Sequence, residues 1–225
     1  GALGASNVSV CGNLKFDVTP VPEKILFGRS WREAIGQRPV WLAASTREGE
    51  EELVLTAWRK LAVPHALLVL VPRHPQRFGA VAELLAREKI SFGRRSEGLP
   101  GSETQVWLGD SMGEMAAYFT LADVAFIGGS LLPLGGQNLI EAAACGCPSV
   151  VGPHTFNFLQ ATADAIAAGA ALRVDDADGL AAAIGRVFGD SGELGAMRAA
   201  ALSFAAAHRG ATERTVALIR SALTS

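Results

Sequence analysis

The sequence predicts an α/β fold, a Rossmann-like parallel sheet flanked by helices. Short apolar runs alternate with longer helical stretches through most of the 225 residues, and this alternation is typical of parallel sheets with crossover helices. The runs ALLVLVP, Ala66–Pro72, and ADVAFIGG, Ala122–Gly129, are apolar apart from Asp123, as expected of strands that are covered on both faces. No linker, repeat or low-complexity tract interrupts the pattern, so we expect one domain.

The predicted elements follow from these runs and from the 3.6-residue periodicity between them. The predicted strands are Val8–Cys11, Val40–Ala44, Ala66–Val71, Thr104–Leu108, Val124–Ile127, Ser149–Val151 and Ala171–Val174. The predicted helices lie near Glu48–Leu61, Pro75–Glu88, Met112–Thr120, Leu139–Cys145, Phe156–Ala168 and Leu180–Phe188. Beyond Asp175 the chain is rich in alanine and is predicted to be helical to its end.

The overall charge disfavours two classes of partner. The formal net charge is −2 and the pI is near 6.1, so no global field attracts nucleic acid or an anionic membrane surface. No apolar stretch approaches the roughly 20 residues that cross a bilayer.

The three cysteines, Cys11, Cys145 and Cys147, form no disulfide framework and favour a reducing compartment. For the Cys145–Cys147 pair we favour packing over metal binding, because no histidine lies at ligand spacing.

In parallel sheets the ligand lies beyond the carboxyl ends of the strands, so the segments that follow predicted strands are the candidates for a site. The first is ASTREGEE, Ala44 to Glu51. Ser45 with Glu48 three residues later fits a helix capping box. In the alternative, functional interpretation, Thr46 and Arg47 face the ligand cleft.

The second segment is VPRHPQRF, Val71 to Phe78. Pro72 and Pro75 restrict the backbone on both sides of Arg73, which therefore leaves a stiffened turn at a strand end. An arginine in this position is suited to hold an anion, although a single arginine is often only a surface residue.

The third segment is GDSMGEM, Gly109 to Met115. Ser111 and Glu114 again fit a capping box. Gly113 would lie in the first helical turn, where glycine costs about 1 kcal/mol relative to alanine. We therefore expect a ligand, such as a flat base, to approach its backbone closely.

The fourth segment runs from Phe126 to Phe158 and contains GGSLLPLGGQNLIEAAACGCP. It matches neither the dinucleotide GxGxxG pattern nor the P-loop. Backbone N–H groups after Gly136 could hold one phosphate at a helix N-terminus, while Glu141 accepts hydrogen bonds from ribose hydroxyls. Glu141 could instead only complement the helix dipole. Together the four segments favour a nucleotide site.

These segments, with GNLKFD (Gly12–Asp17) and GPHTFNF (Gly152–Phe158), resemble in order and spacing the C-terminal half of the 3-deoxy-D-manno-octulosonic acid (Kdo) transferases. Members of that family are GT-B glycosyltransferases that transfer Kdo from CMP-Kdo to lipid A precursors in lipopolysaccharide biosynthesis of Gram-negative bacteria. The resemblance covers most of the chain and becomes weaker after about Phe158.

The resemblance implies which residues contact the ligand, with no cofactor and no metal. The expected CMP contacts are Pro72, Arg73, Met112, Gly113, Glu114, Asn138, Leu139, Ile140 and Glu141, and the second-rank candidates are Thr46, Gly129 and Ser130. Asn138 to Glu141 are expected to hold the phosphate and the ribose.

The resemblance also implies that residues 1–225 form only the CMP-Kdo (donor) binding domain. The acceptor site for the lipid A precursor, the catalytic carboxylate base and the membrane-associating segment are expected in an N-terminal domain outside this chain. The full-length protein is expected at the cytoplasmic face of the inner membrane, and this fragment is expected to be soluble. Two alternatives stay open, another GT-B enzyme that uses a UDP-sugar and a non-catalytic nucleotide-binding module.

Overall fold

The structure, a computed structural model, describes residues 8–9 and 17–223 and contains one parallel sheet flanked by helices. The described strands are β1 (Val40–Thr46), β2 (Leu67–Pro72), β3 (Phe92–Arg94), β4 (Val106–Leu108), β5 (Val124–Ile127), β6 (Ser149–Val151) and β7 (Ala171–Arg173). The described α-helices are α1 (Pro22–Ile35), α2 (Glu50–Lys60), α3 (Phe78–Arg87), α4 (Met115–Leu121), α5 (Leu139–Ala144), α6 (Leu159–Ala167), α7 (Ala177–Gly189), α8 (Ser191–Ala207) and α9 (Ala211–Leu223). Short 3₁₀ turns precede α3 and α6.

The predicted fold class is confirmed, and the differences in elements have local causes. The predicted strand Val8–Cys11 lies outside the described residues beyond Ser9. Strand β3 was not predicted, because FGR is three residues long and carries no apolar run. Helix α1 was not predicted either. Only Gly28 and Trp31 of α1 are buried, so its sequence shows no continuous apolar stripe.

Both faces of the sheet are covered, which explains the uninterrupted apolar runs of its central strands. Along β1 the side chains alternate between two cores. Val40 and Leu42 pack in one hydrophobic cluster, whereas Trp41 and Ala43 pack in the other. Every residue of β1 and β2 is buried, as expected for strands at the centre of a doubly covered sheet.

The order of the strands is β3-β4-β2-β1-β5-β6-β7, and all the pairs are parallel. Strand β2 pairs with β1 on one side, and β3 and β4 extend the sheet in that direction. Strand β5 pairs with β1 on the other side. The strand order therefore reverses between β1 and β5. In open α/β sheets the crevice at such a switch point is where ligands bind.

The last helix is joined to the beginning of the described chain by one carboxylate. Asp17 accepts hydrogen bonds from the backbone N–H groups of Gly210 and Ala211 at 2.5 and 3.3 Å, and from that of Thr212. These N–H groups begin α9 and have no partner within the helix. These hydrogen bonds lower the pKa of Asp17 to about 2, and those from Thr212 have the largest effect.

Among the described helices, none is both long and apolar enough to cross a membrane.

Candidate functional site

A cavity of about 240 Å³ opens at the switch point, beyond the carboxyl ends of β1 and β5. Its lining combines a polar side with an apolar side. The polar residues are Ser45, Arg73, Gln137, Asn138 and Glu141, and the apolar residues are Ala44, Met115, Phe119, Ile127 and Phe158. Small-molecule sites usually combine apolar lining residues with convergent polar groups, and both are present here.

A larger depression, of about 450 Å³, lies at the opposite ends of the strands, where Arg38, His65 and Gln105 are among its lining residues. We do not assign the site there. The Arg38 guanidinium is already used to hold the chain together, because it donates hydrogen bonds to the carbonyl oxygens of His65 and Thr104. The topology also places ligands at the carboxyl ends of strands.

Arg73 supplies the positive charge of the cavity. Its backbone N–H donates to the Thr46 carbonyl at 2.9 Å, which fixes the chain as it leaves β2. Its side chain is exposed, and among the described residues its guanidinium has no ion-pair or hydrogen-bond partner, so it is available to a ligand. The preceding residue, Pro72, is buried at the end of β2 and does not line the cavity.

Asn138 and Glu141 form the opposite polar wall, at the start of α5. The Asn138 side chain caps the helix, because its Oδ1 accepts from the Ile140 N–H at 3.0 Å. Its Nδ2 donates to Glu141 Oε1 at 3.1 Å. This hydrogen bond fixes the Glu141 carboxylate at the cavity and leaves it able to accept further hydrogen bonds. Leu139 and Ile140 are buried in the core, so only their backbone atoms could reach a ligand.

The predicted phosphate site on the N–H groups after Gly136 is wrong for two of those groups, the N–H groups of Gln137 and Ile140, which have partners within the protein. The N–H groups of Gly136 and Gln137 donate to the carbonyl oxygens of Gly129 and Gly128, at 2.7 and 2.9 Å. The Ile140 N–H is occupied by the Asn138 cap. These bonds hold the loop before α5 against the end of β5, and Arg73 provides the cationic side chain of the cavity.

The glycine-rich turn after β5 binds a carboxylate of the protein itself. Glu50, fully buried at the start of α2, accepts from the N–H groups of Gly129, Ser130 and Leu131 at 2.5, 3.0 and 3.1 Å. The Ser130 hydroxyl donates to the Ile127 carbonyl. The second-rank candidates Gly129 and Ser130 do not line the cavity. They hold the turn next to it in place through their bonds to Glu50.

The prediction that Thr46 faces the cleft is also wrong. Thr46 is fully buried, and its hydroxyl donates to Glu51 Oε1 at 3.0 Å. Glu51 in turn pairs with Arg77 at 2.9 Å, and burial nevertheless raises the pKa of the Glu51 carboxyl. The capping box of Ser45 and Glu48 does not form either, because α2 begins later, at Glu50.

Of the GDSMGEM segment, Met115 lines the cavity and the residues before it lie outside the lining. Helix α4 begins at Met115, so Ser111 does not cap it. The Ser111 hydroxyl donates instead to the Glu114 carboxylate, which also accepts from Arg95 at 3.1 Å. Gly113 has φ +73° with open space around it. This left-handed turn by itself explains the glycine, so close approach of a ligand is not needed to account for it. The predicted contacts of Met112, Gly113 and Glu114 with CMP stay predictions.

The cysteines near α5 pack in the protein interior. Cys147 is buried in the core cluster, with Cys145 partly buried against it. Burial raises the pKa of the Cys145 thiol to about 11, so it is protonated at neutral pH.

Three residues that line or support the cavity were not among the predicted site residues. Ser45 and Gln137 line the cavity, and Glu50 organises the turn behind it. Ser45 and Glu50 lie within the ASTREGEE segment that the sequence analysis selected. Their roles depend on contacts with β5 and its following turn, about 80 positions away in the chain, which local patterns do not reveal.

The fold and the cavity define a Rossmann-like domain of the type that forms the C-terminal half of GT-B glycosyltransferases. The crystal structure of the C-terminal CMP-Kdo binding domain of WaaA from Acinetobacter baumannii superposes with a TM-score of 0.76 and 32% identity, covering 81% of this chain and 97% of that one. The 3-deoxy-D-manno-octulosonic acid transferase of Bordetella pertussis is 47% identical over 220 residues. The chain belongs to the Kdo transferase family and matches its C-terminal part.

The match to full-length relatives is partial in length. The alignment with the Bordetella pertussis enzyme covers 95% of this chain and 51% of that protein. The Haemophilus influenzae transferase is 47% identical over 155 residues, which are 67% of this chain and 36% of that protein. The chain thus spans about half the length of the first of these relatives and a smaller share of the second. No protein-family model matches it.

Proposed function

We propose that this chain is the donor-binding domain of a Kdo transferase and holds the CMP part of CMP-Kdo in the cavity between β1 and β5. The observation that carries the proposal is the convergence of Arg73, Asn138 and Glu141 on one cavity. Arg73 offers a cation to a single phosphate. Glu141, fixed by Asn138, offers an acceptor to vicinal ribose hydroxyls. A nucleoside monophosphate combines both requirements.

In this proposal the domain assists the departure of CMP. As the bond between the Kdo anomeric carbon and the phosphate oxygen breaks, negative charge builds on the phosphate. Arg73 is positioned to stabilise that charge, and preorganised electrostatic stabilisation of this kind is a large part of catalysis. The glycosyl group goes to an acceptor hydroxyl, whose proton is taken by a base.

We further propose that the base, the lipid A precursor site and the contact with the inner membrane belong to the part of the relatives that this chain does not match. The half-length alignment with the Bordetella pertussis transferase supports this proposal, because about half of that protein has no counterpart in this chain. The complete enzyme would work at the cytoplasmic face of the membrane, where CMP-Kdo would reach both halves.

The first experiment is a titration of this chain with CMP, UMP and UDP, followed by backbone amide chemical shifts. We expect CMP to bind most tightly and to shift the signals of Arg73 and of residues 137–141. Tighter binding of UDP would favour a GT-B enzyme that uses a UDP-sugar. Shifts confined to the depression around Arg38 would place the site at the opposite ends of the strands.

The second experiment joins the chain to the N-terminal half of the Bordetella pertussis transferase and measures Kdo transfer from CMP-Kdo to a lipid A precursor. We expect transfer by this hybrid and a large loss with Arg73→Ala. Binding of CMP without transfer, in a hybrid shown to be folded, would favour a non-catalytic nucleotide-binding module.

A further inference from the structure

Ser45, at the carboxyl end of β1, has a strained backbone. Its φ is +56°, in the left-handed region that residues other than glycine usually avoid because the Cβ approaches the backbone. The pairing of β1 with β2 shifts register between Ala44 and Thr46, so Ser45 is the extra residue of a bulge. Bulges of this kind are frequent beside active sites, where they redirect a side chain.

The neighbouring strands on both sides hold this conformation. On the β5 side, the Gly128 N–H donates to the Ala44 carbonyl at 2.8 Å, and on the β2 side the Arg73 N–H donates to the Thr46 carbonyl at 2.9 Å. A Cβ at position 128 would lie 2.4 Å from the Ser45 carbonyl oxygen. Only glycine at position 128 therefore allows the bulge to sit against β5, and the strain at Ser45 is maintained by its surroundings.

The Ser45 hydroxyl has no partner in the described part of the protein. Ser45 is only 8% exposed and lines the cavity, yet none of the hydrogen bonds among the described residues uses its hydroxyl. Its buried neighbours differ in this respect, because the hydroxyls of Thr46 and Ser130 both donate within the protein. Nearly all buried polar groups find a hydrogen-bond partner, so the hydroxyl of this mostly buried residue, which lines the cavity, is available to a ligand atom.

We propose that the Ser45 hydroxyl donates a hydrogen bond to the phosphate of the donor nucleotide, beside Arg73. This inference rests on the proposed function and extends it to a residue outside the expected CMP contacts. Two features select the phosphate rather than the ribose. The Glu141 carboxylate and the Asn138 side chain provide the wall suited to ribose hydroxyls, whereas Ser45 and Arg73 offer donors. Hydrogen bonds to an ionised phosphate are also stronger than those to neutral groups.

The test compares the affinities of Ser45→Ala and Ser45→Gly for CMP and for cytidine, which lacks the phosphate. We expect each variant to weaken CMP binding about tenfold, the loss typical of one hydrogen bond to a charged group, and to leave the cytidine affinity unchanged within about twofold. Ser45→Gly should also unfold at no lower temperature than the wild-type chain, because glycine adopts the left-handed conformation without strain.

Lys89 provides a matched control for the backbone effect. It has nearly the same φ, +56°, at the end of α3 and does not line the cavity. Lys89→Gly should therefore leave the affinity for CMP unchanged. Binding of CMP by the wild-type chain with unaltered affinity in both Ser45 variants would overturn this inference alone. An equal loss of CMP and cytidine affinity would also overturn it, since that would show a general disturbance of the cavity. No binding of CMP by the folded wild-type chain would remove the proposed function, and this inference with it.

Discussion

The carboxylate of Glu50 accepts a hydrogen bond from the backbone N–H of Ser130 at 3.0 Å. This contact joins the start of α2 to the turn after β5. The carbonyl oxygens of that turn accept in their own right from Gly136 and Gln137, which lead into the Asn138 cap. Glu50 therefore supports the polar wall of the cavity indirectly. It binds the turn after β5, and that turn binds the residues that precede Asn138.

Replacement of Glu50 by glutamine should destabilise the domain. The carboxylate accepts four N–H groups, those of Arg47, Gly129, Ser130 and Leu131, and an amide presents an NH₂ group to part of this set. We expect a loss of about 2 kcal/mol in the free energy of unfolding, the scale of buried hydrogen bonds to a charged group. Urea unfolding followed by circular dichroism would measure it.

Glu52→Gln is the matched control for this variant. Glu52 lies in the same first turn of α2 but is exposed, so its replacement should change the stability by less than about 0.5 kcal/mol. Equal effects of the two substitutions would show that the charge near the helix N-terminus matters and that the bonds to the turn do not.

Glu141→Ala should weaken CMP binding roughly 5- to 150-fold while the fold is retained. The reason is the loss of charge-assisted hydrogen bonds to the ribose, which are worth about 1–3 kcal/mol. Calorimetry with CMP and with 2′-deoxy-CMP would test this interpretation. The penalty should be smaller for the deoxy ligand, because one of the two hydroxyls is already missing. An unchanged affinity for CMP would leave Glu141 with only a helix-stabilising role.

Arg73→Ala should raise the dissociation constant for CMP and reduce its dependence on salt. The Arg73 guanidinium has no partner in the part of the chain that the structure describes, so it contributes through its charge, and salt screens the attraction between exposed charges. Arg87 gives the control, because it is also exposed and lies at the end of α3, away from the cavity lining. We expect Arg87→Ala to change the dissociation constant by less than about twofold. A similar salt dependence in wild-type and Arg73→Ala chains would contradict the assignment.

The junction between Asp17 and α9 should depend on acid pH. The pKa of Asp17 is lowered from 3.8 to about 2 in the folded chain, so its contribution to stability is complete above pH 3.8 and is lost as the pH falls through 2. We expect the backbone amides of residues 210–212 to lose their native chemical shifts over this range. In Asp17→Asn this transition should be missing.

Asp175→Asn provides the comparison, since Asp175 is exposed and does not contact α9 in the described structure. It should show the wild-type transition. If residues 210–212 and strand β1 change together in every variant, the transition is general acid unfolding, and the local assignment to Asp17 is wrong.

Much of the sheet could be predicted from the sequence, because buried strands carry long apolar runs whose boundaries are marked by glycine and proline. The bounds of β5 and β6 agree with the prediction. The position of Arg73 at the cavity was predictable for a related reason, since the carboxyl ends of parallel strands meet at one edge. The same rule led to Glu141.

Local patterns failed where a distant group competed for the same atoms. Ser45 and Ser111 both fit capping boxes, but neither caps a helix. At Ser45 the strand continues through a bulge that depends on the close approach of Gly128. At Ser111 the partner is the side chain of Glu114, which Arg95 orients. In each case a residue of another element, Gly128 or Arg95, contributes to the observed arrangement, and the local pattern gives no sign of it.

The hydrogen bond from Thr212 to Asp17 spans 195 positions of the chain. Closing a loop of this length costs conformational entropy, and the cost falls once the intervening chain is ordered, so we expect α9 to be anchored after the sheet between the two residues has assembled. During synthesis on the ribosome, Asp17 emerges long before residues 210–212, so the hydrogen bonds between them can form only when nearly the whole domain has emerged. We therefore expect the junction to form late in folding, and a probe on α9 would test this order.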